Sequence, residues 1–222
     1  MKPLRFDGVL FDLDGTLADT AADIALALEE ACRDVGVTMR QPVRSLVDGS
    51  PLEEIFAVLS PGAEPAAFER FASSYRARYL ANGHRLTRIF PGVIDTLEAL
   101  TLLRPRPRLG VATARRAEAA RGLCVDMGLA RYFDTIEGSG GTAMAPKPAP
   151  DLPLTISFLW QMRPERILFV GDTVRDVLAG RAAGMQTAAV LYGLGDREAI
   201  AAAKPDHLLE DIEDLLALLS AD

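Results

Sequence analysis

The stretch GVLFDLD, Gly8 to Asp14, decides how the rest of the chain is read. A continuous apolar run of this length fits a strand buried on both faces, as in a parallel sheet. It ends in two aspartates one residue apart, Asp12 and Asp14, with Gly15 and Thr16 immediately after. Like charges set so close repel each other, and a buried strand gains nothing from them. They call for a partner of opposite sign, and the rest of the chain has to supply it.

Two further runs share this grammar. RLGVATA (Arg108 to Ala114) and ILFVGDT (Ile167 to Thr173) also rise through apolar residues and end in small or polar ones. TAAVL (Thr187 to Leu191) reads as another strand, with YFDTIEG (Tyr132 to Gly138) and DHLL (Asp206 to Leu209) as weaker ones. Helical patterns alternate with them over 114–127, 151–162, 174–183 and 211–219, the first and third stopping at Gly128 and Gly184. Strand alternating with helix predicts an α/β fold with a Rossmann-like parallel sheet. Such sheets place ligands beyond the carboxyl ends of their strands, so the polar residues ending the three runs should meet at one edge.

Residues 19–90 break the alternation. Ile24, Leu28, Cys32 and Val35 recur at helical spacing, Ser50 to Glu53 (SPLE) offers a capping box, and Phe68, Phe71, Tyr75 and Tyr79 form an aromatic stripe that reads as packing. IFPGV (Ile89 to Val93) reads as the return turn. The expected division is a core domain of 1–18 with 91–222 and an inserted small helical domain of 19–90.

Bulk properties narrow the function. A net charge of −7 disfavours nucleic acid, whose phosphates need a basic face. No signal peptide or long apolar run is visible, so no membrane is expected. Cys32 and Cys124, the two cysteines, have no metal-clip spacing and read as reduced thiols of a cytoplasmic protein. His84 and His207 lack partners at metal spacing and read as structural or surface residues, and Trp160 reads as packing.

The predicted edge gathers Asp12, Asp14, Thr113, Asp172 and Asp176, and Lys147 enters on the proline-rich loop APKPAPD. One lysine cannot neutralise four carboxylates. A hard divalent cation would, and Mg²⁺ typically uses one or two carboxylates together with a substrate phosphate. Lys147, Thr113 and the amides after Asp12 could then hold phosphate oxygens, with Gly15 allowing the turn. Asp12 could attack phosphorus, while Asp14 protonates the leaving oxygen and later activates water. Phosphoryl transfer needs little beyond positioning and charge neutralisation, so this inventory suffices for it.

These residues resemble the haloacid dehalogenase superfamily of phosphohydrolases over nearly the whole chain. Its motifs are matched in order by DLDGT (Asp12 to Thr16), by Thr113, by Lys147 before a proline, and by GDTVRD (Gly171 to Asp176). An ordered quartet is far more specific than a lone Asp-x-Asp. The resemblance implies a HAD-like core with a C1 helical cap. It makes Asp12 nucleophile and Mg²⁺ ligand, Asp14 acid/base and carbonyl ligand, and Asp172 metal ligand, with Gly15, Thr16 and Asp176 supporting. It also puts Thr113, Lys147 and the amide of Ala114 on the phosphate.

FDLDGTLADTAADIALALEEA, FPGVIDTLEAL and PDHLLEDIEDLLALL are similar to the phosphoglycolate phosphatase branch, which commonly carries Asn where Ala114 stands. The expected function is therefore hydrolysis of a small phosphorylated metabolite, first of all 2-phosphoglycolate, through an aspartyl-phosphate. The alternatives are a β-phosphoglucomutase-like transfer, a pyrophosphatase or nucleotide phosphatase, a phospho-acceptor signalling domain, and a non-catalytic binding protein. Arg40, Arg44, Arg76, Arg78, Arg85 and Arg88 enrich the insert in guanidinium groups, and Arg44, before the turn DGS, is the expected substrate contact. The sequence does not say whether the chain is a monomer or a homodimer.

Overall fold

The computed structural model describes residues 4–39, 46–47, 49–140 and 143–219. The first strand, β1 (Gly8–Phe11), has all four residues buried. The chain leaves the sheet through β2 (Ala18–Asp19), forms α1 (Ala21–Val35), α2 (Leu52–Leu59) and α3 (Pro65–Asn82), and returns through β3 (Arg88–Ile89), which pairs antiparallel with β2. The remainder runs α4 (Val93–Leu102), β4 (Arg108–Thr113), α5 (Ala117–Asp126), β5 (Thr135–Gly138), α6 (Asp151–Trp160), β6 (Ile167–Gly171), α7 (Val174–Ala182), β7 (Gln186–Val190), α8 (Arg197–Ala202), β8 (His207–Leu209) and α9 (Leu215–Leu219).

Six strands form one sheet in the order β5-β4-β1-β6-β7-β8, and all neighbours are parallel. β1 lies between β4 and β6, so the strand order reverses there, and that is the crevice where open α/β sheets bind ligands.

Alternation along β1 assigns its side chains to two layers. Val9 and Phe11 pack with Leu97 and Leu100 of α4, Leu123 of α5 and Leu215 of α9. Leu10 packs on the other face, with Leu152, Ile156 and Trp160 of α6 and Ala179 of α7. Burying each such large side chain contributes about 1.5–3 kcal/mol, and with both faces covered the strand reads as a continuous apolar run. Trp160 is packing, as expected. Its ring lies so close to β1 and β4 that a Cβ at Gly8 or Gly110 would come within 2.7 Å of it, and its Nε1 donates to Thr135 Oγ1 at 2.9 Å.

The inserted helices have a separate core of Leu28, Cys32, Ile55, Phe56 and Phe71, with the Phe56 and Phe71 rings 4.7 Å apart. Phe68, Phe71 and Tyr75 of the aromatic stripe are therefore packing, while Tyr79 is buried beneath the Arg115 guanidinium. Asp23, at the start of α1, is buried and accepts from Leu86 N and Thr87 Oγ1, which ties the outgoing chain to the returning one. The expected capping box at Ser50–Glu53 does not form. The helix starts one residue later, with Pro51 extended at the cap position and no side-chain capping bond. Two helices went unread: α4, whose buried Val93, Leu97 and Leu100 have helical spacing, and the short α8. Both cysteines are free and buried, and no described helix is long and apolar enough to cross a membrane.

Candidate active site at the carboxyl edge of the sheet

Asp12 is the first residue past β1, and its amide still donates to Val170 O of β6 at 2.8 Å. By alternation its side chain follows Leu10 toward the layer of α6 and α7. Lys147, in the loop before α6, and Asp176, on the first turn of α7, come from that layer. The Lys147 ammonium lies 2.9 Å from Asp12 Oδ2 and 2.5 Å from Asp176 Oδ1, with all three side chains buried. Asp12 Oδ1 is buried without a hydrogen-bond partner.

Asp172 follows β6 directly and is fully buried. Its Oδ1 accepts from Thr16 Oγ1 and its Oδ2 from Leu194 N, both at 2.8 Å. Gly15 is in the left-handed region at φ 84°, and a Cβ there would fall 2.0 Å from Asp172 Oδ2. The turn can therefore close over Asp172 only with glycine. The Thr16 carbonyl accepts from the Tyr192 hydroxyl at 2.7 Å, which fixes the same turn from β7's side.

Asp176 has two structural duties. Its Oδ2 accepts from Thr173 N at 3.0 Å and Thr173 Oγ1 at 2.6 Å, completing the capping box of α7, while Oδ1 holds Lys147. Thr113 closes β4 one strand away. Its Oγ1 accepts from Arg115 N at 3.2 Å, and its carbonyl accepts from Ser139 N. Ala114 is half-buried beside it.

The electrostatics follow from burial. Burial pushes the Asp12 carboxyl up to about 7 against the pull of Lys147, and Asp176 and Asp14 add to the rise. Burial, then the charges of Asp176 and Asp12, hold Asp172 well above the usual carboxylate range. Burial works against the Lys147 charge, but Asp12 and Asp176 outweigh it and keep the ammonium protonated. One oxygen from each of Asp12, Asp172 and Asp176 lies within 4.8 Å of the other two. Three hard oxygen donors, an orphaned buried oxygen on Asp12 and too little positive charge fit a divalent cation of the Mg²⁺ class.

Asp14 departs from this cluster. The strand has ended at Phe11, and the Asp14 carboxylate turns to the loop just ahead of α5. There it accepts from Arg115 Nε at 2.7 Å, Arg115 Nη2 at 2.5 Å and Thr20 Oγ1 at 2.5 Å. Burial alone would raise the Asp14 carboxyl, but the Arg115 guanidinium outweighs it and holds the group below the usual range. Arg115 was missed in the sequence, although an arginine two residues beyond a strand end at this edge was a readable signal. Arg175, also unread, donates to the Lys147 carbonyl at 3.2 Å and ion-pairs with Glu54 of α2, which links the site to the inserted helices.

Arg44 and Arg40 lie outside the described residues. Arg78 is taken by Asp34, and Arg85 and Arg88 donate to neighbouring carbonyls, so these three are committed within the insert. His84 contacts Asp126 at 2.9 Å and packs on Tyr79, a structural role.

A family model described as haloacid dehalogenase-like hydrolase matches residues 9–190. A phosphoglycolate phosphatase from Aquifex aeolicus is 34% identical over 213 residues, covering 95% of both chains. The pyrophosphatase PpaX of Oceanobacillus iheyensis is 30% identical, again over 95% of both. Among solved structures, a haloacid dehalogenase-like family hydrolase from Streptococcus pneumoniae superposes with a TM-score of 0.85 at 28% identity, over 96% of this chain and 98% of that one.

Proposed function

The chain belongs to the haloacid dehalogenase-like hydrolase family, and from that premise we propose that it is a Mg²⁺-dependent phosphatase of small phosphorylated metabolites, with 2-phosphoglycolate as the first candidate. The observation that carries the reading is Asp12 itself, a buried carboxylate at a strand end with one oxygen on Lys147 and the other without a partner. Such a group is held in place and still has a lone pair to offer.

In this reading Asp12 attacks the phosphorus of the monoester. The P–O bond to the substrate alcohol breaks, and the leaving oxygen takes a proton from Asp14. Water then attacks the phosphorus of the aspartyl-phosphate and gives its proton to Asp14. The bond to Asp12 breaks, and inorganic phosphate and the Asp12 carboxylate are restored. Lys147, the Thr113 hydroxyl and the Ala114 amide hold the non-bridging oxygens, while Gly15 and Thr16 keep the turn closed on Asp172. Asp12, Asp172 and the Asp14 carbonyl would hold Mg²⁺, which when bound neutralises phosphate charge and fixes its orientation. Asp176 keeps Lys147 in register. Residues 19–90 act as a cap that excludes water and selects the substrate, with Arg44 as the contact for an acid group.

The name of the Oceanobacillus relative supports a second reading, hydrolysis of inorganic pyrophosphate by the same machinery. A panel of phosphorylated acids, sugars and nucleotides plus pyrophosphate, assayed for phosphate release with Mg²⁺ and with chelator, separates the two. Fastest turnover of 2-phosphoglycolate supports the first reading, and fastest turnover of pyrophosphate supports the second. Equal activity with chelator present contradicts both.

A further inference from the structure

Asp14 is assigned two proton transfers, yet it stands where neither strand nor helix fixes its direction. What fixes it is Arg115. The guanidinium reaches it through Nε and Nη2 at 2.7 and 2.5 Å, one donor to each carboxylate oxygen, and Thr20 Oγ1 adds a third bond at 2.5 Å. A two-pronged pair of this kind sets the plane of the carboxylate as well as its distance. Both oxygens accept in this pair, so the fork favours the ionised form from which the second half of the reaction starts.

Arg115 is itself held from both sides. Its backbone amide donates to Thr113 Oγ1, and its guanidinium lies over the Tyr79 ring at 4.7 Å to the centroid. Tyr79 belongs to α3 and is buried. The arginine side chain is 11% exposed, so little of its surface is left to water. A side chain stacked on one element and anchored on another has few rotamers, and it can pass that order to its partner.

We propose that Arg115 is a positioning residue for the second half of the reaction, holding the Asp14 carboxylate where it receives the proton of the attacking water. The inference rests on the acid/base role given to Asp14. In that step the water oxygen bonds to phosphorus, the bond from phosphorus to Asp12 breaks, and the water proton passes to Asp14. Losing Arg115 leaves Asp14 on Thr20 alone, so hydrolysis of the aspartyl-phosphate slows more than its formation.

The test is rapid-quench kinetics with p-nitrophenyl phosphate, whose leaving group departs without help from an acid, on the wild-type protein, Arg115→Gln and Asp14→Asn with Mg²⁺ present. The proposal expects Arg115→Gln to give a burst of nitrophenol, about tenfold or more phosphoenzyme at steady state, and a kcat that falls further than kcat/KM. Arg115→Lys keeps the charge without the fork and should show the same signature to a smaller degree. It also serves if the glutamine variant does not fold. Asp14→Asn should accumulate phosphoenzyme as well. If it does and neither Arg115 variant does, with kcat and kcat/KM falling in parallel or not at all, the positioning role is overturned while the assignment of Asp14 stands. If Asp14→Asn accumulates none, the assignment fails first.

Discussion

The Lys147 ammonium stands 2.9 Å from Asp12 Oδ2, and both side chains are buried. Together with Asp176 this makes a buried knot of one ammonium and two carboxylates between the first strand, the proline-rich loop and α7. Removing one partner of a buried pair leaves the other charges uncompensated, at a cost of roughly 3–5 kcal/mol. Lys147→Met should lose about that much in urea unfolding without divalent cations. It should also lose about a hundredfold or more in kcat/KM, since the phosphate loses its cation. A variant as stable as wild type would show that the pair is not what neutralises the cluster.

Divalent cation should substitute for missing charge. If Mg²⁺ binds the folded chain alone, stability rises by about 2.7 kcal/mol at a hundred times Kd. The melting temperature should therefore climb with Mg²⁺ and return with chelator, and Asp172→Asn should flatten the response. An unchanged shift in that variant would place the ion elsewhere.

Two glycines should respond in opposite directions to alanine. At Gly15 the new Cβ would sit 2.0 Å from Asp172 Oδ2 on a backbone at φ 84°, so Gly15→Ala should cost more than about 1 kcal/mol and blunt the Mg²⁺ shift. Gly122 is exposed in α5 with nothing near its missing Cβ. There alanine should stabilise by about 0.8–1 kcal/mol. Chemical denaturation of both variants checks the pair.

Burial pushes the Cys124 thiol up to about 12 and raises Cys32 as well. Below those values the thiol form prevails, so at mildly alkaline pH the native protein has almost no thiolate to offer. A disulfide reagent should react with neither cysteine until denaturant is added. Fast reaction of the native protein would contradict the packing described for α1 and α5.

The core of this fold was legible because buried parallel strands announce themselves as unbroken apolar runs. GVLF lies between GVAT and ILFVG and runs parallel to both, and that sheet order alone brings Asp12, Thr113 and Asp172 to one edge. Lys147 was legible only through motif order, since the loop that delivers it has no periodicity. Arg115 could be placed at this edge from its position just past β4, but a long side chain in a loop carries no sign of its direction, so its pairing with Asp14 was not legible. Its partner, Asp14, likewise escapes the alternation that governs Val9 to Asp12. Asp176 could be read as a helix cap or as a site residue, and it serves α7 and Lys147 at once. The missed α4 is a different case, because its helical spacing was present just past the return turn read at Ile89 to Val93 and was not taken up as a helix.

The most direct test of the account is acid quench of the protein during turnover of its best phosphomonoester with Mg²⁺, followed by peptide mapping. The account predicts a phosphoryl group on the peptide containing Asp12, and neither adduct nor turnover in folded Asp12→Asn. Turnover that persists in Asp12→Asn, or a phosphoryl group on another residue, would contradict it.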